Sequence, residues 1–238
     1  MNNVIVQIYS LTTVEDARMV IALGAHHIGV SYGKIVRTPA QVSCEEAKEI
    51  FEGVQPRAVK IGLTVAEDLD EISENLRVVL PDVLHLSGNI EAVSPSQVEI
   101  LKNRFPGLKI MQAIPVLQNV PAKEQKAFEY IKQYEKASDF FLIDTKAVSA
   151  ADIGATGLSH DWNIDRALVE STRVPCIIAG GLNSENVAEA IETARPYGAD
   201  SFTWTNYAKQ PAGRRGIKDA EKVKAFIDAV KNANVPNK

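Results

Sequence analysis

The stretch VPCIIAGGLNSENVAEAI (174–191) contains one complete strand–loop–helix unit. Its first half, the run 175–181, is apolar and ends in two glycines, as expected for a buried strand followed by a turn. The polar residues Ser184 to Asn186 come next and precede a segment whose apolar residues recur at helical spacing. The stretch therefore predicts a strand, a turn at Gly180 and Gly181, and a helix that begins at Ser184.

The same unit repeats along the chain. Eight apolar runs, each rich in β-branched or aromatic residues, start 23 to 36 residues apart, which leaves room for a helix in every interval. The runs span residues 4–9, 27–32, 58–65, 82–86, 109–114, 139–144, 175–181 and 199–204. Eight strands that alternate with helices predict an α/β fold, a (β/α)8 TIM barrel, that forms a single domain over residues 1–238. A doubly wound sheet is the alternative, although no Gly-x-Gly-x-x-Gly follows the first run.

Several intervals carry helix signals of their own. Residues 14–24 and 44–53 have helical apolar spacing and both end at a glycine, Gly24 and Gly53. Ser94 precedes Pro95 and is placed to cap a further helix. The last segment, 219–233, predicts an amphipathic helix that packs Val223, Phe226, Ile227 and Val230 against the barrel.

Composition and charge limit the partners. Hydrophobic residues make up 45% of the 238 residues, and the net charge is −4, so there is no electrostatic case for a nucleic-acid partner. The N-terminus lacks a basic segment followed by an apolar stretch, and no window approaches ~18 apolar residues, so we expect no membrane partner. Two cysteines, Cys44 and Cys176, are too few for a disulfide scaffold. We expect a reduced, cytoplasmic protein.

A barrel of this kind carries its site at the C-terminal ends of the strands. Asp144 ends the apolar run DFFLID, where burial raises the pKa of a carboxyl group as a general acid requires. Capping of the next loop or pairing with Lys146 is the alternative role. His85 lies in the fourth run, either as a site residue or as a hydrogen-bonded core histidine. His26, His27 and His160 have no metal-ligand spacing, so we predict no metal.

The glycines after two strands predict a phosphate site. Gly180 and Gly181 allow the backbone to approach a ligand, and the helix that follows presents free N–H groups to an anion. A plain strand-to-helix turn is the alternative. Gly154 to Gly157 form a second glycine-bearing loop, after the sixth run, that is able to fold over a ligand.

Five stretches carry motifs beyond the strand and helix pattern: VQIYSLTTVEDARMVIALGAHHIGV (6–30), GATGLSHDWNIDRAL (154–168), VPCIIAGGLNSENVAEAI (174–191), RPYGAD (195–200) and GIKDAEKVKAFI (216–227). Together they resemble the phosphoribosylanthranilate isomerase family over nearly the whole chain. The resemblance implies an Amadori rearrangement of an aminoaldose phosphate to an aminoketose, without a cofactor. It also implies that Asp144 donates a proton to the ring oxygen of the sugar and that Arg37, which follows the second strand, binds the substrate.

The family's base is a cysteine that ends the first strand in a Lys-x-Cys-Gly motif. In this chain the four matching residues are Gln7 to Ser10, and Tyr9 stands at the position of the cysteine. A tyrosine has a pKa of about 10, so we expect His85, which titrates near neutrality, to be the better base. In the phosphate loop after strand 8 the family's serine and glycine are replaced by Phe202-Thr203-Trp204-Thr205. The expected substrate-binding residues are Arg37, Gly157, Gly180, Gly181, Asn183 and Thr203.

Three functions follow from this pattern. The first is an isomerase that acts on a phosphorylated sugar by acid/base chemistry with Asp144, His85 and Tyr9. The second is a lyase that forms a Schiff base through Lys146, two residues beyond Asp144. The third is a non-catalytic barrel that binds a metabolite. In each case we expect a small-molecule partner and a monomer or homodimer.

Overall fold

Eight parallel strands close into a barrel in the computed structural model, which describes residues 4–38, 40–54, 56–146, 159–210 and 216–234. Each strand pairs with the next one along the chain, and β1 pairs with β8 to complete the ring. The strands are β1 Ile5–Ile8, β2 His27–Ser31, β3 Val59–Thr64, β4 Val83–Leu86, β5 Lys109–Leu117, β6 Phe140–Lys146, β7 Cys176–Ile178 and β8 Gly198–Ser201. The predicted (β/α)8 barrel is confirmed.

A helix follows each strand on the outside of the barrel. The helices are α1 Val14–Leu23, α2 Cys44–Gly53, α3 Leu69–Val78, α4 Pro95–Arg104, α5 Ala127–Tyr134, α6 Trp162–Ser171, α7 Val187–Ala194 and α8 Ala220–Asn232. Polar side chains begin several of them: Ser94 forms the capping box of α4 with Gln97, and Asp219 caps α8. The predicted stop at Gly24 is confirmed, since this glycine adopts the left-handed conformation.

Several predicted strand ends differ from the structure by two or three residues, and two boundaries next to the site show what local structure stands there. Helix α7 begins at Val187 rather than at Ser184, and the three residues before it form a turn in which the Asn183 side chain accepts hydrogen bonds from the N–H groups of Glu185 and Asn186. Strand β8 ends at Ser201, since residues 203–205 turn into a short 3-10 helix.

Successive side chains of a strand point to opposite sides of the sheet, so the core has one part inside the barrel and one part between the strands and the helices. Ile8 points outward, to the layer between strands and helices, whereas Tyr9 points into the barrel beside Ile61, Met111 and Leu142. The Tyr9 ring packs on Gly29, where a Cβ atom would lie 2.2 Å from a ring carbon. The predicted inner face of α8 is confirmed, because its four apolar side chains are buried, namely Val223, Phe226, Ile227 and Val230.

Both cysteines, Cys44 and Cys176, are buried free thiols. No helix among the described residues is long and apolar enough to cross a membrane. Because the chain ends and residues 147–158 lie outside the described ranges, one domain over residues 1–238 stays a prediction.

Candidate active site

A pocket of about 830 Å³, its open mouth included, lies at the C-terminal ends of the strands. Side chains from opposite sides of the barrel meet there, because the strands tilt around a common axis. Most of the predicted site residues line it, namely Tyr9, His85, Asp144, Gly180, Gly181 and Thr203. Thr38, Ser201 and Trp204 also line the pocket, and Trp204 is 48% exposed.

Asp144 stands on the pocket wall near the end of β6. Its Oδ1 accepts a hydrogen bond of 2.7 Å from the N–H of Thr145. Burial raises the pKa of Asp144 to about 6, although this hydrogen bond and the charge of His160 lower it in part. About half of the carboxyl groups are therefore protonated at a pH of about 6, far above the ordinary range of Asp, as predicted for a proton donor.

Tyr9 and His85 form a hydrogen-bonded pair inside the barrel. The Tyr9 hydroxyl lies 2.6 Å from Nδ1 of His85, and both side chains are buried. The ring is thus held by one nitrogen, while the other, Nε2, is buried without a hydrogen-bond partner among the described residues.

The expectation that His85 titrates near neutrality is wrong. Burial lowers the pKa of His85 to about 3, so the imidazole is neutral across the physiological range. Burial, followed by the charges of Asp200 and Asp144, raises the pKa of Tyr9 well above its ordinary value. Tyr9 is therefore a neutral phenol, in agreement with the prediction that it does not inherit the role of a thiolate base.

Sequence reasoning missed two buried charged residues at this end of the barrel. Asp200 lines the pocket from β8, and burial and the charge of Asp144 raise its pKa well above the ordinary value. Lys218 lies behind the β8 loop, where its Nζ donates to Asn206 Oδ1 at 2.7 Å and to the Phe202 carbonyl at 3.3 Å. Burial lowers the pKa of Lys218 to about 7. A signal existed for Asp200 only, since it stands inside a strand and an Asp is seldom fully buried unless it is paired.

Gly180 and Gly181 form the turn after β7 in left-handed conformations, with φ of 89° and 64°. A Cβ atom on Gly180 would lie 2.0 Å from Oγ1 of Thr145. Only glycine fits here, and the turn brings its backbone to the pocket surface. Asn183 instead holds the following turn and does not line the pocket.

The structure does not bring Arg37 or Lys146 to the pocket. The Arg37 guanidinium makes a two-pronged ion pair with Glu71, at 2.5 and 2.9 Å, on the outer side of the rim. Lys146, at the end of β6, is not among the lining residues, and Asp144 forms no ion pair with it among the described contacts. Gly157 and the loop that contains it lie outside the described residues.

Metal ligands are not grouped in the part of the chain that the structure describes. No three His, Cys, Asp or Glu side chains come together there as a metal ion requires. His27, as predicted, starts β2 at the opposite end of the barrel, where it contacts Gln7.

Asp144 should also make stability depend on pH. Its pKa is raised from the ordinary 3.8 to about 6, so the folded protein binds more protons than the unfolded chain between these values. The free energy of unfolding should therefore fall as pH rises from about 4 to about 6, by at most on the order of 3 kcal/mol. Asp144→Asn should remove this fall and be more stable than wild type at pH 7, measured by urea unfolding across pH. Parallel curves for the two proteins would contradict it.

Comparison with known proteins agrees with this architecture. The family description N-(5'-phosphoribosyl)anthranilate (PRA) isomerase matches residues 6–229. A relative named N-(5'-phosphoribosyl)anthranilate isomerase, from Methanocella arvoryzae, is 31% identical over 226 residues, 95% of this chain and 97% of its own.

Solved structures share the fold. The phosphoribosylanthranilate isomerase of Pyrococcus furiosus has a TM-score of 0.77 at 24% identity, covering 96% of this chain and 99% of its own. Another, solved with reduced 1-(o-carboxyphenylamino)-1-deoxyribulose 5-phosphate, has a TM-score of 0.72 at 24% identity, covering 96% and 98%. At these identities the likeness concerns the fold. With the match along residues 6–229, it establishes that the chain belongs to the phosphoribosylanthranilate isomerase family.

Proposed function

We propose that this chain is an isomerase that converts an aminoaldose phosphate of the N-(5'-phosphoribosyl)anthranilate type to the aminoketose, an Amadori rearrangement. The observation that carries this is Asp144, a carboxyl group on the pocket wall whose pKa of about 6 leaves it a proton to donate. The full-length match to the family supports the substrate class, tryptophan biosynthesis as the pathway and a cytoplasmic location. A homodimer or monomer stays a prediction.

Two proton transfers make up the reaction. Asp144 gives its proton to the ring oxygen of the sugar, the C1–O bond breaks, and the nitrogen lone pair forms an iminium. A base then removes the proton from C2, and the electrons of that C–H bond form the C1–C2 double bond of an enamine, which neutralises the iminium. Tautomerisation of this enol-amine gives the ketone.

His85 is the acceptor for the C2 proton in this proposal. Its imidazole is neutral, its Nδ1 is held by Tyr9, and its Nε2 has no hydrogen-bond partner among the described residues. A pKa of about 3 makes it a weak base, but the C2 proton of an iminium is acidic.

The turn at Gly180 and Gly181 is the proposed phosphate site, with Thr203 on the β8 side of the pocket. Exposed backbone N–H groups hold a phosphate without a side chain. Asn183 acts behind this site, since its side chain shapes the turn that follows. Arg37 reaches a ligand only if its ion pair with Glu71 opens, and a role for Gly157 stays a prediction.

Gly180→Ala should weaken phosphate binding at least tenfold in a calorimetric titration, because its Cβ would collide with Thr145 and displace the turn. Gly107→Ala is the matched control: Gly107 has φ of 90°, against 89° for Gly180, and nothing lies within 4 Å of its added Cβ. Both variants carry a similar backbone strain of about 1–3 kcal/mol. Equal phosphate affinity in the two variants would place the anion elsewhere.

Turnover of N-(5'-phosphoribosyl)anthranilate by the purified chain, and rescue of a tryptophan-requiring strain that lacks this isomerase, test the function. Both should succeed. Saturable binding of the substrate without turnover would favour a metabolite-binding barrel. Borohydride trapping of a carbonyl substrate on Lys146 would favour the lyase.

A further inference from the structure

Three buried side chains form a continuous hydrogen-bonded chain behind Asp144. Nδ1 of His160 lies 2.8 Å from Oγ1 of Thr145, and its Nε2 lies 2.5 Å from Oδ1 of Asp165. The His160 and Asp165 side chains are 1% and 0% exposed, and Thr145 is fully buried. The chain links α6 to the end of β6, one residue beyond the proposed proton donor.

We propose that His160 and Asp165 are positioning residues, which act through Thr145 to hold the Asp144 carboxyl and the Gly180 turn in their working geometry. The inference rests on the proposed role of Asp144 as proton donor. Neither His160 nor Asp165 lines the pocket that holds Asp144, so neither is proposed to touch the substrate.

Thr145 contacts both the proposed proton donor, Asp144, and the proposed phosphate turn at Gly180. Its N–H donates to the Asp144 carboxylate at 2.7 Å, while its hydroxyl contacts His160. The same hydroxyl occupies the space that a Cβ on Gly180 would need. A displacement of Thr145 would therefore move both the proton donor and the proposed phosphate turn, and small errors of geometry cost much of the rate.

Asp165 orients the imidazole. A carboxylate on one ring nitrogen sets which proton the ring carries and fixes the ring plane, whether His160 is neutral or charged. Removing Asp165 leaves the ring free to tilt away from Thr145. A buried ion pair is in general a poor source of stability compared with apolar residues of the same volume, so stability alone accounts poorly for this one.

The charges of His160 and Asp165 also change the pKa of Asp144. Burial lowers the pKa of His160, but the hydrogen bond and charge of Asp165 raise it more, so the imidazolium persists above its ordinary range. The groups that face this pair are Asp144 on β6, Asp161 at the start of α6 and Cys176 on β7. The cation lowers the pKa of Asp144 more than Asp165 raises it. Loss of both charges should therefore raise the pKa of Asp144.

Asp165→Asn keeps the size of the side chain and an acceptor for His160 but removes the charge. We expect kcat to fall by roughly 10- to 100-fold while KM stays within about threefold of wild type. We also expect a higher pKa for Asp144, measured by carbon NMR titration of the carboxyl groups in the intact, ligand-free chain. Glu170→Gln is the control, because Glu170 is an exposed carboxylate on the same helix that pairs with Arg166. It should change neither quantity.

Thr145→Val tests the chain without disturbing the ion pair. It replaces the hydroxyl by a methyl group of similar size, and kcat should fall as in Asp165→Asn, whereas Thr145→Ser should restore it. Wild-type kcat and an unchanged Asp144 pKa in Asp165→Asn, with only a lower melting temperature, would overturn the proposal. If the wild-type chain does not turn the substrate over, the proposed function fails separately, and the Asp144 titration alone decides.

Discussion

Asp144→Asn should lower kcat for the aminoaldose phosphate by roughly 10²–10⁴-fold, the usual contribution of a general acid, with little change in KM. An amide is nearly the same size as the carboxyl and still accepts the hydrogen bond from Thr145, but it has no proton of suitable acidity to give to the ring oxygen. The loss therefore isolates proton transfer from packing. Stopped assays at saturating substrate would measure it.

The pH dependence of the rate tests the same role of Asp144 by a second measurement. Because the pKa of Asp144 is about 6, the protonated fraction falls as pH rises through that value, and the wild-type rate should fall with it. This limb should vanish in Asp144→Asn. Asp139→Asn is the control, since Asp139 precedes the same strand at the opposite end of the barrel, where it pairs with Lys102. Full activity of Asp144→Asn would refute the proposed mechanism.

His85→Gln should lower kcat by roughly 10²-fold or more, and Tyr9→Phe by about tenfold or less. The difference follows from their roles: His85 accepts the proton, whereas Tyr9 only supplies a hydrogen bond to Nδ1. Glutamine fills part of the same space but is not a base. Tyr9→Phe keeps the ring on Gly29 and leaves one buried ring nitrogen without its partner.

Both variants should bind phosphate as the wild type does, because neither residue contacts the Gly180 turn in the proposal. A calorimetric titration of each variant checks this and shows that the pocket is intact. If Tyr9→Phe alone abolishes turnover while His85→Gln does not, the phenol is the base and the roles proposed for the two residues are reversed.

The strands were accessible from the sequence because each is a short apolar run, and all eight observed strands overlap a predicted one. Their ends were less accessible. β8 stops at Ser201 since the following backbone forms a 3-10 turn, and α7 starts late since Asn183 holds a turn before it. Both ends depend on hydrogen bonds that no hydrophobic pattern records.

Burial around the site was predicted at Asp144 but escaped prediction at other groups. Asp200 lies in β8 and Lys218 in a charged segment before α8, and nothing near them in the sequence shows that one faces the pocket and the other lies beneath the β8 loop. His85 was expected to titrate near neutrality, but its pKa depends on how many strands close around it. His160 and Asp165 are near in sequence, yet their link to Asp144 passes through the end of β6.

The sequence by itself determined the barrel, the order of its elements and the family. The reason is that apolar runs, helical spacing and short glycine-bearing motifs each lie within one short segment and are visible without the fold. Only the tertiary structure decided which polar side chains meet and in what state of charge. It placed Tyr9 against His85, held Arg37 on Glu71, and set the pKa of Asp144. Distances across a closed barrel and the loss of water around a group depend on all eight strands at once, so no single segment encodes them.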